Sequence, residues 1–336
     1  MDLYSKKTFL QQGSELYARM IQHTENDVLR RFLAFRIIVN AMAFEDVVGN
    51  RAHPRMRQIR NVLLAHKQEQ EFFEGFRAVD EITDGTISPL LAFMAQDTGT
   101  PAPAWLLPEL SQGLSAHKFA LIVPQILDGY EAEFLSGNRV INNFLCFTGS
   151  NVHEVSSGEL AGAFYRYHSS KALFDVGQYI FNNSSQSAEL IWLSRHAKLD
   201  MLLHGQNMAD SAIKDTRNSH SIDGILEVLV KEGIGDAAAL QTLAGSPAFA
   251  SVYGRVRTIR NKLIGHMDHS APLADLVAEL DALSIVDAYD LCNMVDEAVD
   301  TVARSHMAIW SRYVTGNQVL PPTTKAVMGI TTRPYF

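Results

Sequence analysis

Apolar residues recur at three- and four-residue intervals through most of the chain, and this spacing predicts α-helices. The clearest pattern runs from Glu25 to Val48, with Asn50 as the predicted stop. A longer amphipathic pattern predicts one helix from about Ala274 to Tyr313. Shorter helices are expected over 158–181, 188–214, 222–232 and 235–244. Alternating, strand-like patterns are almost absent, so we expect an all-α fold.

Proline and glycine divide this helical chain into units. The segment 96–105, followed by Pro108, is the clearest break. We therefore expect an N-terminal helical unit over 1–95, a helical connecting region over 96–157, a C-terminal helical domain over 158–315 and a tail over 316–336.

The composition is typical of a globular protein, with 47% hydrophobic and 20% charged residues. The two cysteines, Cys146 and Cys292, lack the neighbours of a zinc or redox motif, and we expect both to be small buried apolar residues. The N-terminus has no apolar core of signal-peptide length, and no later segment reaches the roughly 18 apolar residues of a membrane span. We therefore expect a cytoplasmic protein with no membrane partner.

A twelve-residue segment occurs twice, at 55–66 (RMRQIRNVLLAH) and at 255–266 (RVRTIRNKLIGH), with seven identical positions. Both copies are basic, although the formal net charge of the chain is −8. That net charge argues against non-specific coating of nucleic acid, whereas the two basic islands favour local anion sites. Pro54 and Pro247 are predicted to begin the two helices that carry the copies.

An Arg followed at once by a polar residue, and then by a His, resembles the nuclease motif of the HEPN superfamily, in which four to six residues separate the Arg from the His. Each copy here has five intervening residues: Arg60-Asn61 with His66, and Arg260-Asn261 with His266. The resemblance is strongest over 195–310, moderate over 20–90 and absent over 100–160. It implies two HEPN-like helical bundles that form an internal pseudo-dimer with one composite site.

The resemblance also implies a function, a metal-independent endoribonuclease that needs no cofactor and acts by 2′-hydroxyl attack, with His66 and His266 moving protons. The Arg side chains would hold the phosphate, and the adjacent Asn side chains would orient these groups. The other basic residues are candidates for RNA phosphate contacts or for surface salt bridges: Arg55, Arg57, Arg255, Arg257 and Lys262. A toxin or phage-defence role follows from the family alone, and the implied partners are the RNA substrate, a controlling protein or RNA, and a second copy of the chain.

On a regular helix, six residues turn about 240°, so the Arg and the His of one copy would converge from two flanks of the helix rather than from one face. The two sets of groups would meet most easily where the second motif helix lies alongside the first. This geometry favours one site built from two halves.

Two other functions remain open. A non-catalytic HEPN-like module would use the basic islands to bind RNA, a nucleotide or an acidic partner. A metal hydrolase would use His196, Asp200 and His204, which follow one another at four-residue steps on one predicted helix. No second helix with ligand spacing accompanies these three residues, so we expect them on an ordinary polar helix face and expect no metal site.

Overall fold

The computed structural model describes residues 2–23, 27–61, 84–96, 159–185, 190–213, 224–231, 237–265 and 271–305. Its helices are α1 (Asp2–Ile21), α2 (Asp27–Val48), α3 (Pro54–Arg60), α4 (Asp84–Gln96), α5 (Glu159–Ser184), α6 (Ile191–Ala212), α7 (Ile225–Lys231), α8 (Ala238–Ala244), α9 (Pro247–Arg260), α10 (Leu273–Ala282) and α11 (Ile285–Ser305). A π-helical turn, Asn261–Gly265, follows α9. No strand occurs within these ranges, and the expected all-α class is confirmed for them.

Two long helical hairpins organise the chain. Helix α1 packs along α2, and α5 packs along α6, each pair joined by a short connection. In the first half, α3 and α4 pack on α2. In the second half, α9 and α11 pack on α6, and α8 packs on α11. The motif helices α3 and α9 therefore each pack against the second helix of a hairpin.

Helix α6 packs against α1, α5, α9 and α11, and nearly all of its residues are buried. Contact between the halves includes α1 against α6 and α2 against the turn Asn261–Gly265. Gly13 lets α1 approach closely, because a Cβ at this position would lie 2.4 Å from Cε1 of His196. The two hairpins therefore share one hydrophobic core.

The predicted long helix over 274–313 is divided into α10 and α11 within the described residues, and 306–313 lie outside them. The chain leaves the helical conformation at Leu283, where φ is −64° and ψ is 121°. The hydroxyl oxygen of Ser284 then accepts a hydrogen bond from the Val286 N–H at 3.2 Å, as at a helix N-cap. A local side-chain cap thus divides an apolar pattern that spans both α10 and α11.

Helices α1 and α4 were not singled out by the sequence pattern, and α4 includes Pro89. The starts of α3 and α9 at Pro54 and Pro247 agree with prediction, with each proline in the first turn. Almost all of the predicted connecting region, and the whole predicted tail, lie outside the described residues. Among the helices that are described, none has the length and apolar character needed to cross a membrane.

Candidate functional site

The first motif arginine, Arg60, is the last residue of α3 and is buried against α2. Its NH2 group lies 3.0 Å from Oδ2 of Asp46. Burial lowers the pKa of Arg60, and the neighbouring Asp46 carboxylate opposes this shift. An arginine pKa lies so high that the guanidinium stays charged at neutral pH, and the structure therefore holds a fixed cation at the end of α3.

Arg57 adds a second cation to this cluster. It donates hydrogen bonds to Asp46 and, at 2.8 Å, to Oε2 of Glu45. Burial lowers the pKa of Arg57, but the hydrogen bonds to the two carboxylates outweigh burial, so the net shift is upward. From the sequence, Arg57 was a candidate for either a phosphate contact or a salt bridge, and the structure shows the salt bridge.

The second motif arginine, Arg260, occupies the matching place at the end of α9. Its NH2 group lies 3.6 Å from Oδ2 of Asp210 on α6. The other oxygen of this carboxylate accepts hydrogen bonds from Tyr253 at 2.7 Å and from the Gln206 amide at 3.0 Å. Asp210 therefore fixes the position of Arg260 and is itself fixed by two neutral donors.

The carboxylates that hold the two arginines occupy equivalent positions. Helices α2 and α6 are each 22 residues long. Asp46 and Asp210 are both third from the C-terminal end of their helix. The duplication visible as twelve residues thus extends to a carboxylate on the preceding long helix. Neither Asp46 nor Asp210 was predicted from the sequence, although Glu45 and Asp46 are the only acids between Val28 and Val48.

Asn61 and Asn261 end the two motif helices in the same way. Each backbone N–H donates to the carbonyl oxygens three and four residues earlier. The Oδ1 atom of Asn61 is buried and accepts no hydrogen bond from the residues that the structure describes. A buried amide oxygen without a donor is uncommon and is a candidate contact for a ligand or a nearby side chain.

Both copies enter π-helical geometry immediately after the arginine, at Asn61 and over Asn261–Gly265. The rotation per residue of a regular α-helix therefore does not apply over Asn261–Gly265. Wide turns of this kind are frequent at functional sites. His66 and His266 lie outside the described residues, so the predicted meeting of the two histidines stays a prediction.

Among the remaining basic candidates, Arg55 and Arg255 are exposed, whereas Arg257 and Lys262 are partly buried. Arg55 donates to Gln58 at 3.0 Å, and Arg255 donates to Asp287 at 2.9 Å. Lys262 lies 3.4 Å from Glu279, and Arg257 lies 6.0 Å from the ring centroid of Tyr253. Exposed pairs of this kind contribute about 0–1 kcal/mol to stability, so a phosphate could displace them at little cost.

The expectation of a solvent-facing polar group on α6 is wrong. His196, Asp200 and His204 are all buried, because α6 is covered by neighbouring helices. His196 stacks on Phe9 with ring centroids 4.4 Å apart, and burial lowers the pKa of this histidine to about 3. In the described part of the chain, no group of three or more His, Cys, Asp or Glu side chains is placed to hold a metal ion.

Asp200 instead belongs to a polar cluster between the two hairpins. It forms an ion pair with Arg36 of α2 and accepts a hydrogen bond from Tyr17 of α1 at 2.5 Å. Arg36 and Asp200 are each the tenth residue of their helix, counted from Asp27 and from Ile191. Equivalent positions of the two hairpins therefore carry opposite charges that bind each other.

The chain matches no protein-family model, no curated protein and no solved structure. The functional interpretation consequently depends on the repeated motif and on its contacts.

Proposed function

We propose that this chain is a metal-independent endoribonuclease of the HEPN type, in which the two motif copies form one composite site within an internal pseudo-dimer. The observation that carries the proposal is the repeated pairing of a motif arginine with a carboxylate, Arg60 with Asp46 and Arg260 with Asp210. Packing of the turn Asn261–Gly265 on α2 supports a site shared between the halves, since the second motif touches the first hairpin.

The held arginines suit phosphate chemistry. A guanidinium has five N–H donors in a planar fork, a geometry that suits non-bridging phosphate oxygens. A fixed cation needs little reorganisation when negative charge develops on the phosphate. Arg60 and Arg260 would stabilise that charge, and His66 and His266 would move protons, for which a placed acid or base contributes about 10²- to 10⁴-fold.

The reaction would produce a 2′,3′-cyclic phosphate and a 5′-hydroxyl. The test uses purified protein, a labelled RNA and a chelator, with a 2′-O-methyl RNA of the same sequence as the uncleavable control. The parent protein should cleave the unmodified RNA and not the 2′-O-methyl RNA. The double variant His66→Ala/His266→Ala should cleave the unmodified RNA at least about 10²-fold more slowly. His23→Ala is the matched control, because His23 is exposed at the end of α1 and should leave the rate unchanged. Equal rates for parent and double variant in chelator would show that the composite-site mechanism is wrong.

A toxin or phage-defence role is part of this proposal. Expression of the parent chain in bacteria should arrest growth, whereas Arg60→Ala/Arg260→Ala should not. Regulation by a partner protein, an RNA or a second copy of the chain would then be required. Growth that is unaffected by a demonstrably active parent protein would contradict the toxic role and leave the enzymatic one intact.

A non-catalytic HEPN-like module is the second candidate. It is favoured by the ion pairs of Arg60 with Asp46 and of Arg260 with Asp210, because such pairs also stabilise the packing of each motif helix on its hairpin. This candidate predicts that the parent protein binds RNA or an acidic partner without cleaving RNA, and that replacing either arginine lowers folding stability. Urea unfolding of Arg260→Met, measured beside its cleavage rate, separates the two functions.

A further inference from the structure

One imidazole near the first motif is not part of the motif. His53 stands at the N-terminus of α3 and contacts Glu45 twice. Its backbone N–H donates to Oε1 of Glu45 at 2.9 Å, and its ring Nδ1 lies 2.7 Å from the same oxygen. The His53 ring also packs edge-on against Phe93 of α4, with centroids 5.1 Å apart. The ring orientation is therefore fixed from two sides.

Glu45 connects the His53 imidazole to the motif arginine Arg60 through Arg57 and Asp46. Its side chain is fully buried, and its second oxygen accepts a hydrogen bond from Arg57 at 2.8 Å. Arg57 also binds Asp46, and Asp46 binds Arg60. The imidazole and the motif guanidinium are thus held on adjacent carboxylates of α2, bridged by one arginine.

The contacts leave one ring nitrogen of His53 for other chemistry. Because Nδ1 faces Glu45, the transferable proton would be the one on Nε2, and the side chain is 24% exposed. A carboxylate on one ring nitrogen orients an imidazole so that the other nitrogen can transfer a proton, as in the histidine–aspartate pair of serine proteases. His53 therefore has the arrangement of a proton donor.

The second copy has no imidazole at the position equivalent to His53. Tyr253 follows His53 by the same 200 positions that separate the motif copies, and its hydroxyl donates to Asp210. Both residues thus contact a carboxylate at the end of the preceding long helix. A phenol bound in this way cannot replace an imidazole as an acid near neutral pH, so the two halves differ in chemistry.

We propose that His53, oriented by Glu45, is the general acid of the RNA-cleavage reaction, an inference that rests on the proposed ribonuclease function. The 2′-oxygen bonds to phosphorus, and its proton goes to the general base of the proposed reaction. The bond between phosphorus and the 5′-oxygen breaks, and its electron pair goes to the 5′-oxygen. The Nε2 proton of the His53 imidazolium then neutralises that oxygen, which gives a cyclic phosphate and a 5′-hydroxyl.

The test compares two RNA dinucleotides, one with the natural 5′-oxygen and one with a 5′-bridging sulfur. A thiolate leaves without protonation, so loss of the general acid slows only the oxygen substrate. His53→Asn removes the ionisable ring and keeps an amide donor for Glu45. We expect this variant to slow cleavage of the oxygen substrate by about 10²- to 10⁴-fold and to cleave the sulfur substrate at nearly the parent rate.

His23→Asn is the matched control and should cleave both substrates like the parent. Equal slowing of both substrates by His53→Asn would assign His53 a structural role and overturn the proposal, as would unchanged cleavage of the oxygen substrate. If His53→Asn unfolds, His53→Gln is measured in the same way. A parent protein that cleaves neither substrate would instead refute the ribonuclease function itself.

Discussion

Replacing Arg36 with methionine should destabilise the protein strongly, because the change leaves Asp200 as a buried carboxylate without its cation. Both side chains are fully buried. Breaking a buried ion pair by removing one partner costs about 3–5 kcal/mol. That loss is a large part of the 5–15 kcal/mol that typically stabilises a protein of ordinary size.

The double variant Arg36→Met/Asp200→Asn should be more stable than Arg36→Met alone. It has no unpaired charge, and the asparagine oxygen can still accept the hydrogen bond from Tyr17. Replacing both members of a buried pair by neutral groups is often close to neutral in free energy. Urea unfolding of the parent, both single variants and the double variant should therefore give a coupling energy of about 3 kcal/mol.

The dependence on pH provides a second check. Burial raises the pKa of Asp200 to about 6, while Arg36 and the Tyr17 hydrogen bond oppose this shift. Since the folded pKa lies above the unfolded one, the contribution of Asp200 to stability is fullest at low pH and declines as pH rises through about 6. Without Arg36 the pKa should rise further, so the variant should lose more stability at pH 8 than at pH 5. His196 contributes an opposite slope, and because burial and the Arg36 charge together lower the pKa of His196, removal of Arg36 weakens that slope and so acts in the same direction.

Additive effects of the two single substitutions would refute this reasoning. So would a destabilisation of Arg36→Met that is the same at pH 5 and pH 8, because an unpaired buried carboxylate must respond to protonation. Either result would mean that water or another group compensates Asp200 in the folded protein.

Two further predictions concern close packing. Gly13→Ala should lower the free energy of unfolding by about 1–3 kcal/mol, since the new Cβ would collide with the His196 ring. Gly254→Ala is the control and should raise the free energy of unfolding by up to about 1 kcal/mol, because a Cβ at this position meets open space. Equal effects of the two substitutions in urea unfolding would contradict the close contact between Gly13 and His196. Burial raises the pKa of Cys292 to about 12, so its thiol should not react at pH 8 in the folded protein. In a Cys146→Ser background, a disulfide reagent at pH 8 should label Cys292 only after urea unfolds the protein. Rapid labelling without urea would contradict the burial of Cys292.

Periodicity predicted much of the helical architecture. The bounds of α2 and α6 and the start of α9 agree closely with the sequence patterns, because amphipathic spacing, prolines and stop residues act locally. Periodicity failed where local and long-range signals differ. The break at Leu283 depends on one capping serine inside a continuous apolar pattern, and α4 forms despite Pro89. Burial of Cys292 was predicted correctly from its lack of functional neighbours.

The candidate site was predicted in part. The repeated arginines were found from sequence identity alone, but their carboxylate partners were not. An acid's role depends on which helix packs beside it, and Asp46 and Asp210 precede their arginines by 14 and by 50 positions. The prediction that His196 lies on an ordinary polar helix face was wrong because α6 is covered by neighbouring helices, and the sequence pattern does not show that packing.

The sequence by itself determined the helical class, the duplication and the identity of the motif residues, since these follow from spacing and residue type. Tertiary structure alone decided which charges meet. It bound Arg60 and Arg260 to equivalent carboxylates, fixed His53 on Glu45, and paired Arg36 with Asp200 between the hairpins. The physical reason is that ion pairs and hydrogen bonds act over a few ångströms in space, whereas a sequence pattern records only distance along the chain.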